Sequence, residues 1–273
     1  MYKYNIYNFE VNSEIELVGL EETTGFNASE KLYIGTYENN EFVPVLSEKN
    51  RRQRDDTDIY FEKDYLVVRY KKQFELCIFT EDNQIFVKTN CEDMIQSISV
   101  LLGTGLSIFF LIRGYIPIHA GALECNGKAI SFSGWSGVGK STLIRYALEQ
   151  GYPLITEDTL LVKGAEDLTV FPTIGIKSKL NDGAINYFNI DKKYIGTRIN
   201  KTQKRWISIP MEQRSLEPTK LKDLYFLEPD DSLSEVKIES LDFWEKKKRL
   251  LNNINSLNNL PMKYTVKILG LQA

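Results

Sequence analysis

The run Gly134-Trp135-Ser136-Gly137-Val138-Gly139-Lys140-Ser141 constrains this chain more than any other segment. It satisfies G-x-x-x-x-G-K-[ST] at every fixed position. A loop of this kind turns successive backbone N–H groups inward, so several donors converge on one polyphosphate. Lys140 would add a point charge on the outer phosphates, and the Ser141 hydroxyl would help hold Mg²⁺. Chance produces such a match in roughly one chain of this length in a hundred, so the flanks must decide. Before the loop, Lys128-Ala129-Ile130-Ser131-Phe132-Ser133 alternates polar and apolar residues as a strand does. After it, Leu143, Ile144, Ala147 and Leu148 form one apolar face of a helix over 141–150. Gly151 then stands where a helix end favours positive φ. Strand, glycine-rich loop and helix is the context the motif needs, and the helix N-terminus adds partial positive charge to the anion site. The sequence therefore predicts a nucleoside-triphosphate and Mg²⁺ site formed by Gly134 to Ser141 with Thr142.

Length and composition narrow the setting. At 273 residues the chain suits one large domain or two modest ones. It is 42% hydrophobic and 26% charged, ordinary values for a protein with a substantial core. A net charge of −3 gives no basic footprint for nucleic acid or an acidic membrane, so any polyanion site must be local. Cys77, Cys91 and Cys125 have no paired spacing, and one histidine with no C-x-x-C argues against structural zinc. The N-terminus lacks the apolar core of a secretory signal, so a reduced, cytoplasmic location is expected. Residues 94–112 carry no charged side chain, yet Gln96, Ser97, Ser99, Gly103, Thr104, Gly105 and Ser107 dilute the apolar stretch. A buried core helix is expected there, not a membrane span.

The first ninety residues are expected to be β-rich, from short β-branched and aromatic runs at 14–18, 31–35, 65–70, 74–79 and 84–88. The charged run at 49–56 reads as a solvated loop. This gives a small β-rich N-terminal domain over 1–91 and a second domain over 92–273. The second domain should hold strands near 116–122, 128–133, 153–156, 160–162, 224–227 and 264–269, and a late helix over 241–257. The predicted fold class is α/β (α+β), with a mixed sheet and few helices.

Glu157-Asp158 follows the apolar Leu154-Ile155-Thr156. Carboxylates at a strand end facing a phosphate loop can hold Mg²⁺ or receive a proton. An extended strand would point the two to opposite sides, whereas a turn could let both reach the site. His119 ends an apolar strand just before the loop strand; a lone histidine is more often a packing residue than a catalyst.

Three segments together, His119-Ala120-Gly121-Ala122, the loop Gly134 to Ser141, and Gly151-Tyr152-Pro153-Leu154-Ile155-Thr156-Glu157-Asp158, resemble the catalytic domain of the HPr kinase/phosphorylase family. The likeness is specific over about residues 115 to 160. The start Val11-Asn12-Ser13-Glu14-Ile15-Glu16-Leu17 is similar to divergent HPr kinase-like proteins, some of which accompany ribosomal-peptide and lasso-peptide maturation and phosphorylate a peptide serine. The resemblance implies a P-loop kinase fold and γ-phosphate transfer from ATP to a serine hydroxyl of a protein or small peptide. It implies Glu157 as general base, where the family usually has Asp, with Lys140 and His119 in the catalytic set. It implies Ser141 and Asp158 as metal partners, and it allows a homo-oligomer, since related HPr enzymes assemble. An acidic residue followed closely by Arg-Gly, the signature of the bifunctional enzymes, is missing, so phosphorylase activity is not implied. Lys177, Lys179, Lys204 and Arg205 are further cations that could serve the phosphates. Two other functions use the same loop: a small-molecule kinase, and a nucleotide-gated regulatory module with weak ATPase activity.

Overall fold

The computed structural model describes residues 1–54, 56–70, 74–88, 94–164, 168–199 and 202–260. It is strand-rich, with few helices and more than one mixed sheet. Backbone contacts divide it into two compact units, one of 1–115, 173–176 and 256–273, the other of 116–172 and 177–255. The strands are β1 (Tyr2–Ile6), β2 (Phe9–Ser13), β3 (Glu30–Thr36), β4 (Arg51–Arg54), β5 (Thr57–Phe61), β6 (Tyr65–Tyr70), β7 (Phe74–Phe79), β8 (Gln84–Val87), β9 (Ile116–Ile118) and β10 (Ala120–Cys125). They continue as β11 (Lys128–Ser133), β12 (Leu154–Thr156), β13 (Leu160–Lys163), β14 (Thr169–Phe171), β15 (Thr173–Ile174), β16 (Ser178–Asn181), β17 (Ile195–Arg198), β18 (Lys204–Ile207) and β19 (Thr219–Phe226). The helices are α1 (Met94–Val100), α2 (Leu106–Ile112), α3 (Lys140–Glu149), α4 (Asp182–Tyr187) and α5 (Phe243–Asn253).

The first unit is a nine-stranded mixed sheet in the order β15-β1-β2-β3-β8-β7-β6-β5-β4. Its strands form where the sequence is β-branched and aromatic, with one exception. The run 14–18 is not a strand: the chain leaves the ladder after Ser13. The Glu14 carboxylate accepts from Tyr33 Oη at 2.6 Å and from the Thr36 backbone N–H at 2.7 Å. Those bonds turn the chain into the end of β3 instead of extending β2. The charged run also differs from the solvated loop expected. A short 3₁₀ turn at Glu48–Asn50 leads into β4, where Arg51 pairs with Asp58 at 2.9 Å. Cross-strand pairing lets a charged segment close the sheet as a short edge strand.

The uncharged stretch 94–112 is a buried helical run, as expected. A π segment, Leu101–Gly105, joins α1 to α2. Gly105 allows a close approach: a Cβ there would stand 3.1 Å from Leu76 Cδ2 on β7. Phe109 and Phe110 pack edge-to-face on Phe9, which is fully buried. Among the described residues, no helix is long and apolar enough to cross a membrane. These helices pack into the first unit, so the division between units falls after Tyr115. The sequence-based boundary at 91/92, Cys91 and the strand expected over 264–269 lie outside the described residues.

The second unit carries a seven-stranded mixed sheet in the order β12-β10-β11-β19-β14-β13-β9. Among the described residues, β11 and β19 are the one parallel pair in it. The strand expected over 116–122 is two strands: the chain breaks at His119, with β9 on one sheet edge and β10 beside β11. The core of this sheet is Ile118, Ala120, Ala122, Ala129, Ile155, Leu160, Val162 and Val170. A separate antiparallel sheet, β16-β18-β17, was not foreseen from sequence. Helix α4 follows β16, started by Asn181, whose side chain accepts from the Ala184 N–H at 2.8 Å. The late helix is α5, which begins two residues later than expected, where Asp242 accepts from the Glu245 N–H at 2.9 Å.

Candidate functional site

Sheet topology brings the three resembling segments to one place. Strand β10 is antiparallel to both β11 and β12, so β11 and β12 point the same way. The carboxyl ends of β11 and β12 and the amino end of β10 therefore share one edge of the sheet. The glycine-rich loop leaves β11 there, Glu157-Asp158 leaves β12, and His119 precedes β10. Register fixes the alignment, with Ala120 opposite Ser133 and Ala122 opposite Thr156. Ser133 Oγ donates to the His119 carbonyl at 2.8 Å, tying the first two segments together.

The loop passes into α3 through Gly139, whose φ of 104° is a left-handed value that favours glycine. Gly134 needs its bare Cα for another reason: a Cβ would lie 2.9 Å from Val138 Cγ1 and 3.1 Å from the Leu227 carbonyl. Trp135, Ser136, Gly137 and Gly139 are exposed, and Val138 is half-buried. The Lys140 ammonium folds back over the loop, donating to the carbonyls of Gly134 at 2.5 Å and Trp135 at 3.1 Å. Burial lowers its pKa, against the pull of Asp158 and Glu157.

The acid pair divides. Glu157 is only 4% exposed. Ser141 Oγ donates to its Oε1 at 2.7 Å. Burial, then the Asp158 charge, pushes the Glu157 carboxyl above its ordinary range. The Asp158 side chain is 48% exposed. Its Oδ2 accepts from Lys179 Nζ at 3.1 Å, and His119 Nδ1 lies 3.6 Å from its Oδ1. Burial works to raise its pKa, but the charge and hydrogen bond of Lys179 outweigh it and hold the carboxyl low. So the chain turns at 157–158, and the two side chains reach different partners. The hydrogen bond of Ser141 goes to Glu157, not to the Asp158 with which it was paired from sequence.

His119 is shifted down by burial, against the attraction of Asp158. Its Nδ1 stands 3.2 Å from the Asp158 carbonyl oxygen. A neutral ring donating from Nδ1 to that carbonyl leaves Nε2 as an acceptor. Lys179 is the cation the sequence could name only among four. The charges of Asp158 and Glu157 raise its pKa against burial, and its ammonium also lies 5.4 Å from the centre of the Trp206 ring. Lys204 adds a positive field at Lys140 and Glu157. Arg205 is engaged elsewhere, with Asp182 at 2.9 Å. Among the described residues, no hydrogen bond or ion pair joins Lys177 to the acid pair.

No group of three metal-ligating side chains exists among the described residues. Mg²⁺ does not require one, since it is held by one or two carboxylates, water and substrate phosphates. Ser141 and Glu157 fit a cation shared with a polyphosphate. The arrangement can cradle an anion, neutralise it, and offer an ionised carboxylate at the mouth. No protein-family model matches the chain, and no curated protein matches it.

Proposed function

We propose that this chain is a nucleoside-triphosphate-dependent phosphotransferase of the HPr kinase-like type, transferring the γ-phosphate of ATP to a serine hydroxyl of a protein or small peptide. The observation that carries this is the 2.7 Å hydrogen bond between Ser141 and Glu157 at the mouth of the glycine-rich loop, with Asp158 ionised beside it. A regulatory loop has no need of a second carboxylate held ready at the phosphate end. The resemblance over residues 115 to 160 supplies the acceptor class.

In this proposal the loop N–H groups and Lys140 receive the β- and γ-phosphates. Lys140 exchanges its bonds to the Gly134 and Trp135 carbonyls for phosphate oxygens. Glu157 and Ser141 would hold Mg²⁺, which would supply positive charge to neutralise the phosphates. The roles of the acids are thus the reverse of those expected from sequence: the buried Glu157 serves the metal, and the half-exposed Asp158 faces the acceptor. Asp158 orients the serine hydroxyl and takes its proton as the oxygen–phosphorus bond forms and the β–γ bridging bond breaks. Lys179 keeps Asp158 ionised and positioned, and neutral His119 holds the turn through the Asp158 carbonyl.

The test is incubation with ATP–Mg²⁺ and candidate serine peptides, followed by mass spectrometry for a phosphate adduct. Asp158→Asn should bind ATP as the native chain does and transfer at least about a hundredfold more slowly. Lys140→Ala should lose nucleotide use. Full transfer by Asp158→Asn would remove Asp158 from the reaction; no adduct on any hydroxyl, with ATP bound, would leave a nucleotide-gated module.

A further inference from the structure

A cleft of about 540 Å³ lies beside the glycine-rich loop, wholly within the second unit. Gly139 and Thr142 line it at the loop-to-helix junction, with Leu143 and Tyr146 from α3 and Tyr187 and Phe188 at the end of α4. Its volume suits a small organic ligand. Tyr146 is 53% exposed and Tyr187 78% exposed. Scattered exposed rings are ordinary. Here two of them border one concavity that shares Gly139 and Thr142 with the loop.

The wall is firmly built. Phe188 packs on a buried cluster of Leu180, Ile185, Ile190 and Ile207. Tyr187 meets Phe188 edge-to-face at 5.0 Å. Asn181 caps α4 and so fixes the helix that presents them. A polyphosphate seated on the amides that lead into α3 has its nucleoside end next to Thr142, where this cleft begins.

We propose that the cleft holds the base of the bound nucleotide, stacked on the rings of Tyr146 and Tyr187, and that it accepts adenine and guanine with little distinction. This rests on the phosphate site proposed above. The side-chain polar groups lining the cleft are the hydroxyls of Thr142, Tyr146 and Tyr187. A hydroxyl rotates and can both donate and accept, so it serves either purine edge. Strong discrimination needs fixed donors and acceptors that go unpaired with the wrong partner. Among the described residues, no amide, carboxylate or guanidinium side chain lines this cleft. Stacking is sequence-tolerant because every base has a π-face.

The experiment is calorimetric titration of the full chain, with Mg²⁺, against ATP, GTP and inorganic tripolyphosphate. ATP and GTP should bind within about fivefold of each other, and each roughly tenfold or more tighter than tripolyphosphate. The double variant Tyr146→Ala/Tyr187→Ala should bring ATP down to the affinity of tripolyphosphate while leaving tripolyphosphate unchanged, which also shows that the variant is folded. The cleft assignment fails alone if tripolyphosphate binds and native ATP binds no tighter, or if the double variant keeps full ATP affinity. Its lack of base discrimination fails if ATP exceeds GTP by about a hundredfold. If neither ATP nor tripolyphosphate binds, the phosphate site fails and the cleft assignment falls with it.

Discussion

Glu157 meets two demands that pull against each other. Its burial makes the charged form costly, yet the Mg²⁺ role proposed for it needs that charged form. The hydrogen bond from Ser141 stabilises the carboxylate without cancelling the burial penalty, so the pKa stays above 4.5. A carboxyl whose folded pKa is raised contributes stability fully present below its unfolded value, and that contribution is lost as pH rises through the folded pKa. Glu157→Gln keeps an acceptor for Ser141 and removes the charge. Without nucleotide, this variant should melt higher than the native chain at pH 8, and the gap should close as pH falls towards 4.5. Melting curves at the two pH values measure it; a native chain that melts higher at pH 8 would show that the carboxylate is not penalised. Asp158 behaves oppositely. Its lowered pKa gives a contribution present above 3.8 and lost as pH falls through the folded value.

At the scale of elements, Gly121 shows what the motif strand is for. A Cβ at Gly121 would stand 2.7 Å from the Glu157 carbonyl and 3.1 Å from Ile144 on α3. Strand β10 thus sets how closely the acid turn and the loop helix approach each other. Gly121→Ala must displace backbone, and overpacking of this kind costs about 1–3 kcal/mol. It should also weaken Mg²⁺-dependent ATP binding, because the turn that moves carries Glu157; calorimetry and denaturant unfolding give the two readouts. Native-like ATP affinity in this variant would mean the turn tolerates the shift. The element-level geometry was partly legible. Strand β11, the loop and α3 could be read from alternation, fixed glycines and a one-sided apolar face, because those signals are local. Their meeting with β12 across β10 is set by pairing register, which leaves no local trace. The pairing of Lys179 with Asp158 and the aromatic cleft were hidden for the same reason, since β16 and α4 are short and weakly patterned. The strand misread over 14–18 had the right composition, but side-chain bonds from Glu14 drew the chain off the ladder.

At the scale of the whole molecule, the chain does not divide at one point. The first unit takes β15, two residues long, from the middle of the sequence, and pairs it with β1. Thr173 and Ile174 are too short a run to announce a strand, so a cut after a β-rich first third was the natural expectation. The proposed nucleotide site, by contrast, lies wholly within 116–172 and 177–255. Ligand bound to the folded form alone stabilises it by mass action, by about 2.7 kcal/mol at a hundred times the dissociation constant. For a chain of this size that corresponds to a rise in Tm of roughly 5–10 °C. ATP–Mg²⁺ at that excess should produce such a rise in scanning calorimetry of the full chain. Lys140→Ala should show little or none, and chelating the Mg²⁺ should shrink the native rise, since Ser141 and Glu157 then lose the cation they share with the phosphates. An equal rise in Lys140→Ala would place the stabilising nucleotide away from the glycine-rich loop.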